Sequence, residues 1–377
     1  MIEVKNFYNS LKKNNIVFFT GVPDSLLKSF CAYIKDNVVD DKNIIAANEG
    51  NAVAIASGYY LATRKFGLVY MQNSGLGNAL NPLVSLNDKL VYNIPMLLVV
   101  GWRGEPGKKD ESQHKKQGII TIETLELLNI KYTIIDENTS NEDIEKIIYE
   151  AALYMKETCE PFGIVVRKNT FGKYRLNNSI NSKFDMSREE AIEVVIDNMQ
   201  STSVIVSTTG MISRELFELR EKKHQDHKKD FLTVGSMGHA SQISLGIALG
   251  NKDRNVYCFD GDGAMIMHLG GTAIIGSKKL KNFKHILFNN GAHDSVGGQD
   301  TAGLKIDIPA IAKSCGYKSV HSCSTKEELI KYLKLVKKEE GPVLLEVKIR
   351  KGARENLGRP TKTPIENKNA FMKFLNN

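Results

Sequence analysis

Two apolar runs, each stopped by a polar corner carrying glycine, constrain this chain more than any other feature. Val256-Tyr257-Cys258-Phe259 reads as a short buried strand and ends at Asp260-Gly261-Asp262-Gly263. A helix-compatible segment follows, from Ala264 to about Ser277. A second run, His285 to Phe288, stops at Asn289-Asn290-Gly291. In a parallel sheet the carboxyl ends of neighbouring strands open into one crevice, so Asp262 and Asn290 converge there despite their separation in sequence. They supply hard oxygen donors of the kind Mg²⁺ accepts, with phosphate and water completing the octahedron. Gly261 and Gly263 let backbone approach a ligand closely. The helix starting near Ala264 turns free N–H groups and a positive dipole end toward a diphosphate.

A lone Gly-Asp-Gly is usually a turn. Paired with Asn-Asn across a strand–helix–strand, it resembles the cofactor motif of enzymes that use thiamine diphosphate (ThDP) and Mg²⁺. The resemblance implies Asp262, Asn290 and the Ala292 carbonyl as metal ligands, and Gly261, Gly263 and Ala264 as cofactor contacts.

The rest of the chain has the architecture such a motif needs. Its 377 residues suit two domains of ordinary size. Residues 1–170 alternate strand candidates (Ile16–Phe19, Ile44–Ala47, Leu68–Met71, Met96–Val100, Tyr132–Ile135, Ile164–Val166) with helical patterns (Asp24–Val38, Asn51–Lys65, Asn141–Lys156). A polar linker is expected over 171–185, including Asn177-Asn178. The alternation restarts over 186–377, with Ser187 and Glu190 forming a capping box and strands at Val204–Val206, Val256–Phe259, Ile286–Phe288 and Val343–Val347. The fold class is α/β, two doubly wound, mostly parallel sheets. By resemblance the first is a pyrimidine-binding domain and the second a diphosphate-binding domain. The chain is too short for the middle domain of most ThDP decarboxylases. The tail from Arg350 reads as polar, an interface cover or a partly mobile segment.

In the first half, Ala46-Ala47-Asn48-Glu49 ends a strand and enters a helix. Glu49 read alone is a first-turn acid stabilising its helix. The resemblance makes it the acid that contacts N1′ of the cofactor's aminopyrimidine, in a dry pocket that keeps its proton available. Asp24, after the first strand, reads as an N-cap; with the resemblance it becomes a candidate for substrate or proton handling. Met71-Gln72-Asn73-Ser74-Gly75-Leu76-Gly77-Asn78 supplies small residues for close approach. Arg103 and His114 lie on loops that can meet an anion, with a surface salt bridge the competing reading for Arg103.

In the second half, the resemblance assigns Thr209 and Gly210 to the diphosphate. It makes Met237 the apolar wedge beneath a bent cofactor and gives the Gly235 carbonyl to the 4′-amino group; Met237 also reads as core filler. His293, Asp294 and Gln299 follow the metal-ligand asparagine and suggest substrate and proton-transfer groups. His114, His293 and Asp294 all remain candidates for the protonation that follows CO₂ loss.

Together with ANEGNAVAIASGYYLAT and MQNSGLGNALNPL, these stretches resemble the phosphonopyruvate decarboxylase family over nearly the whole chain. Sulfopyruvate decarboxylases share the layout. The resemblance implies a carboxy-lyase acting on a small anionic 2-oxo acid, converting 3-phosphonopyruvate to phosphonoacetaldehyde in phosphonate biosynthesis. It also implies a homodimer or homotetramer with active sites between chains. A carboligase and a non-catalytic ThDP-binding subunit are the alternatives. Glu49, Asp262 and Asn290 together argue against the latter.

Composition excludes other classes. The charge of +8 comes from dispersed lysines and arginines without an aromatic-interleaved stripe, so no nucleic-acid partner is expected. No run is long enough for a membrane span and the start lacks a signal pattern, so a cytoplasmic enzyme without membrane contact is expected. The five cysteines form no CxxC pair, so neither a disulfide framework nor a zinc site is expected. His224 and His227 lie in a polar run that reads as an exposed loop.

Overall fold

The computed structural model describes residues 1–177 and 183–376. They fall in two compact units, Met1–Ser179 and Ile180–Asn377. Of the expected linker, 178–182 lie outside the described residues. The part before them packs on the first unit. Phe171 lies 5.1 Å from the Phe7 ring, and the Tyr174 hydroxyl donates to Asp36 at 3.1 Å.

The first unit holds six parallel strands: β1 (Phe18–Gly21), β2 (Asn43–Ile45), β3 (Gly67–Gln72), β4 (Leu97–Gly101), β5 (Lys131–Ile135) and β6 (Phe162–Val166), in the order β2-β1-β3-β4-β6-β5. The second unit holds β7 (Val204–Ser207), β8 (Asp230–Leu232), β9 (Val256–Gly261), β10 (Phe283–Asn289), β11 (Ser319–Cys323) and β12 (Val343–Lys348), in the order β11-β12-β10-β9-β7-β8. Both sheets are wholly parallel, where mostly parallel ones were expected.

Parallel sheets are covered on both faces, so their central strands are apolar throughout. In β3, Leu68 and Tyr70 face one cluster with Phe19 and Phe30, while Val69 and Met71 face another with Ala52 and Ala56. In β9, Tyr257 and Phe259 pack with Ile286 and Leu216, and Val256 and Cys258 pack with Leu287 and Ile275. Burial of these side chains contributes roughly 1.5–3 kcal/mol each before chain entropy is counted. The edge strands β8 and β11 are not marked by hydropathy, because β11 is only half-buried and β8 opens on an acid.

Three local expectations are corrected. The helix read over Ala264–Ser277 is two helices, Asp262–Met267 and Gly271–Lys278, interrupted at His268. The tail is packed: Asn367 donates to the Asp230 carbonyl at 2.8 Å and accepts from the Leu232 N–H, so the helix Pro364–Leu375 covers the β8 edge. His227 is buried, stacked 4.1 Å above the Phe217 ring and paired with Glu221. Nearby charges explain the misreading, since Asp230 is itself buried in a bidentate pair with Arg220. Among the described residues no helix is long and apolar enough to cross a membrane.

Candidate functional site

The loops that leave the carboxyl ends of β1, β2, β3 and β4 gather the polar residues of the first unit. Asp24 is fully buried just past β1. Its Oδ1 accepts from Gln72 Nε2 at 2.7 Å, and Oδ2 accepts from the N–H groups of Leu26 at 2.9 Å and Leu27 at 3.3 Å. The capping reading therefore holds for a turn, and the helix itself starts later, at Lys28. Burial pushes the Asp24 carboxyl above its ordinary range, and the Gln72 hydrogen bond offsets only part of that.

Glu49 opens the helix Glu49–Thr63, capped by Asn48, whose Oδ1 accepts from the Asn51 N–H at 2.9 Å. The Glu49 side chain is buried and accepts from Asn78 Nδ2 at 2.7 Å. Its carboxyl lies directly on Gly75, where a Cβ would stand 2.6 Å from Oε1. Only glycine permits that approach. Ser74 donates to Gln72 at 2.9 Å, so the segment from Gln72 to Asn78 touches both Asp24 and Glu49.

Arg103 is engaged rather than open. Its Nε donates to Asp110 Oδ2 at 2.8 Å, a second N–H meets the other Asp110 oxygen, and Nη1 donates to Ser25 at 2.8 Å. Burial alone would raise the Asp110 carboxyl, but this fork outweighs it and holds the group well below the carboxylate range. The ion-pair reading of Arg103 is thus the observed one. His114, expected on a loop, lies instead in the first turn of the helix Ser112–Leu127, half-buried beside Gly104.

In the second unit the chain direction across the sheet reverses between β7 and β9, a switch point where α/β sheets open a crevice. Thr209 and Gly210 leave β7 there, and Asp262 leaves β9. Gly210 has φ of 95°, a left-handed backbone that favours glycine, and a Cβ there would stand 3.8 Å from Ser295. The loop of Gly235 and Met237 follows β8, and Gly238 beyond it packs on Ala264 and Met267. The cofactor candidates of this unit therefore share one edge.

Asp262 is buried and accepts from the Thr301 hydroxyl. Burial drives its pKa up to about 6, and the negative Asp294 adds to the rise. Among the described residues no cationic side chain pairs with it. Asn289 turns away from the crevice to Glu346, at 2.7 Å. Asn290 remains, buried, its Oδ1 accepting from the Ala292 N–H at 3.0 Å and its Nδ2 donating to Asp294 at 2.6 Å. A buried carboxyl that strains against its charge, flanked by an amide oxygen, is a donor set that fits a hard divalent cation.

His293 lies against Gly263, whose Cβ would stand 2.8 Å from Cε1. Burial takes its pKa down to about 4, so the ring is neutral near pH 7. Gln299 is buried with both amide atoms lacking a protein partner among the described residues, while its carbonyl accepts from the His293 N–H at 2.8 Å. Asp294 accepts from Arg188 Nη1 at 3.0 Å.

Sequence reading missed Gln72 and Asn78 as partners of the two acids, and Arg188 and Thr301 altogether. Gln72 and Asn78 stood in a quoted stretch, but their partners lie 48 and 29 residues away. Arg188 sits inside a capping box that explains its surroundings without it. A further grouping was not foreseen: Cys258, Asp260 and His285 bring their donor atoms within 4.8 Å of one another, wholly buried on one face of the second sheet.

The comparisons agree with this geometry. Residues 4–125 match the family model for the thiamine pyrophosphate enzyme N-terminal TPP binding domain, and residues 208–347 match that for the C-terminal TPP binding domain. The chain is 33% identical to a phosphonopyruvate decarboxylase of Streptomyces viridochromogenes over 100% of its own length and 95% of the relative's. It is 32% identical to that of Streptomyces hygroscopicus, covering 99% and 94%. A sulfopyruvate decarboxylase of Methanosarcina acetivorans is 29% identical over 85% and 84%. With both cofactor-domain matches in order and full-length similarity on top of them, the chain belongs to the phosphonopyruvate decarboxylase family of thiamine-pyrophosphate enzymes.

Proposed function

We propose that this chain decarboxylates 3-phosphonopyruvate to phosphonoacetaldehyde and CO₂, using ThDP and Mg²⁺, as a cytoplasmic homo-oligomer in phosphonate biosynthesis. The observation that carries the reading is full-length similarity to two Streptomyces phosphonopyruvate decarboxylases. The geometry supports the cofactor part. Asp262, Asn290 and the Ala292 carbonyl would hold the metal, with Thr209, Gly210, Gly261, Gly263 and Ala264 at the diphosphate. Gly235 and Met237 would take the pyrimidine and wedge positions, in a diphosphate-binding domain over 186–377 paired with a pyrimidine-binding domain over 1–170.

When bound, the cofactor supplies the electron sink that decarboxylation of a 2-oxo acid requires. The chain's own residues do the rest. Glu49, buried and accepting from the neutral donor Asn78, is the acid that would meet the pyrimidine ring. Asp24, also buried, has its carboxyl pushed up by burial and is the acid on the substrate side. His293 is neutral and can take up or hand on a proton at a ring nitrogen. His114 serves the same step from its own unit. Gln299, with two unpartnered amide atoms, offers a donor and an acceptor to substrate. Arg103 reaches an anion only by exchanging it for Asp110.

The test is CO₂ and aldehyde release by purified protein with ThDP and Mg²⁺, offering phosphonopyruvate and sulfopyruvate in parallel. Turnover of phosphonopyruvate alone is expected. Preference for sulfopyruvate would move the chain toward the Methanosarcina relative. A condensation product without aldehyde would make it a carboligase. ThDP binding without turnover of either substrate would make it a non-catalytic subunit.

A further inference from the structure

Asp294 was read from sequence as a proton-transfer group, yet its surroundings are those of a strut. Its Oδ2 receives three donors: Asn290 Nδ2 at 2.6 Å, Arg188 Nη1 at 3.0 Å and the Gly352 N–H at 3.0 Å. Arg188 is itself buried and turns its other two N–H groups onto Glu215, Nε at 2.8 Å and Nη2 at 3.0 Å. The chain Glu215–Arg188–Asp294–Asn290 is therefore one continuous buried network with alternating acceptors and donors. The same loop is tied a second time where Lys351 meets Asp300 at 2.7 Å.

The consequence falls on Asn290. An asparagine amide has two ends of similar size and opposite polarity, and only the oxygen can ligate a cation. A carboxylate at 2.6 Å accepts and cannot donate, so it claims the NH₂ end. Oδ1 is left on the side of the Ala292 N–H, at 3.0 Å. The Ala292 N–H acts in the same sense, since only the amide oxygen can accept it.

We infer that Asp294 is a positioning residue: held by Arg188, it fixes the amide of Asn290 so that Oδ1 rather than Nδ2 faces the cation site beside Asp262. This rests on the ThDP and Mg²⁺ reading above and deepens it. Arg188, outside every motif in the sequence, becomes part of the cation site without touching the cation. Outer-shell partners of metal ligands characteristically set affinity over a 10–100-fold range.

The experiment is titration calorimetry of Mg²⁺ into the full-length protein with saturating ThDP, run on wild type, Asp294→Asn, Arg188→Lys and the double variant Asn290→Asp with Asp294→Asn. Circular dichroism and melting check that each is folded. Asp294→Asn is expected to raise the Mg²⁺ dissociation constant about 10–100-fold. Turnover at saturating Mg²⁺ should return close to wild type with an unchanged pH profile. Arg188→Lys is expected to give a smaller shift in the same direction, because a lysine cannot hold both carboxylates as a fork does. The double variant swaps donor and acceptor across the contact and is expected to regain most of the affinity lost in Asp294→Asn.

Unchanged Mg²⁺ affinity in Asp294→Asn, with turnover lost at saturating Mg²⁺ and a displaced pH profile, would overturn the inference and restore Asp294 as a proton carrier. No rescue in a folded double variant would also overturn it. Failure of wild type itself to bind Mg²⁺ with ThDP would remove the cofactor reading, a result distinct from either.

Discussion

The two sheet edges hold their acids in opposite ways. In the first unit, Asp24 and Glu49 are buried against neutral donors, the side-chain amides of Gln72 and Asn78, together with backbone N–H groups. In the second, Asp262 accepts from the Thr301 hydroxyl and the Asn290 backbone N–H, and Asp294 has a guanidinium. Neutral donors let a buried carboxyl exist in either protonation state, which suits groups that keep a proton for cofactor or substrate. A buried carboxyl destabilised as an anion suits a cation that arrives from outside. One architecture thus holds its acids differently at its two edges, decided by a few partners rather than by the sheet.

The sharpest way to break this contrast is at Glu49. Glu49→Gln keeps the shape and the Asn78 contact but holds no transferable proton. Turnover should fall about 10²–10⁴-fold with an unchanged circular dichroism spectrum. Turnover within a few-fold of wild type would end the assigned role.

At the other edge, Asp262→Ala should abolish Mg²⁺-dependent ThDP binding in calorimetry. The loss should exceed the ~10–100-fold typical of an outer-shell change. Unaltered affinity would show that the cradle lies elsewhere.

Gln72→Leu should destabilise the first unit by about 1–3 kcal/mol in urea unfolding, because Asp24 loses a buried donor. The corresponding loss at Asp262 should be smaller, since Thr301→Val in cation-free protein when the acid is protonated should cost mainly the hydrogen bond that the hydroxyl accepts from the Gly303 N–H. Equal costs at both edges near pH 5 would contradict the comparison.

The pH dependence has a definite sign. Folding raises Asp262 from its ordinary value to about 6, so the folded state binds more protons than the unfolded one. In cation-free protein this group's contribution to stability is therefore largest below about pH 4 and is lost as pH rises toward 6. Melting curves of wild type and Asp262→Asn across that window should converge at the acid end and diverge toward pH 6, with the variant the more stable there. Saturating Mg²⁺ with ThDP should remove the divergence.

The smallest effects serve as controls. Ser140 and Ser187 each form a capping box, one in each unit. Replacing either by alanine should cost about 1 kcal/mol of stability without altering Mg²⁺ affinity. A metal effect from Ser187→Ala alone would mean that its neighbour Arg188 had moved, and would tie the cap to the strut.

Much of this was legible before any coordinates. Central parallel strands are buried on both faces, so β3, β4, β9 and β10 announce themselves as continuous apolar runs, and their polar stops mark the crevice. Asp262 and Asn290 each stand one residue past such a strand, whereas Glu49, four residues beyond the edge strand β2, was singled out by resemblance. The capping box at Ser187 was legible because its partners are three residues apart.

Other features were not legible, because they depend on contacts between residues far apart in the chain. The edge strands β8 and β11 carry too few apolar residues to register. His227 is buried only because Phe217 lies across it, and the tail is ordered only because Asn367 finds Asp230. Partner identity is the clearest case. Sequence alone determined which carboxyls sit at the sheet edges, since that follows from strand ends. Only the tertiary structure decided what each carboxyl touches. Asn78 for Glu49, Asp110 for Arg103 and Arg188 for Asp294 follow from how strand and helix ends fold over one another, and those partners separate an acid held by a neutral donor from an ion pair and a strut.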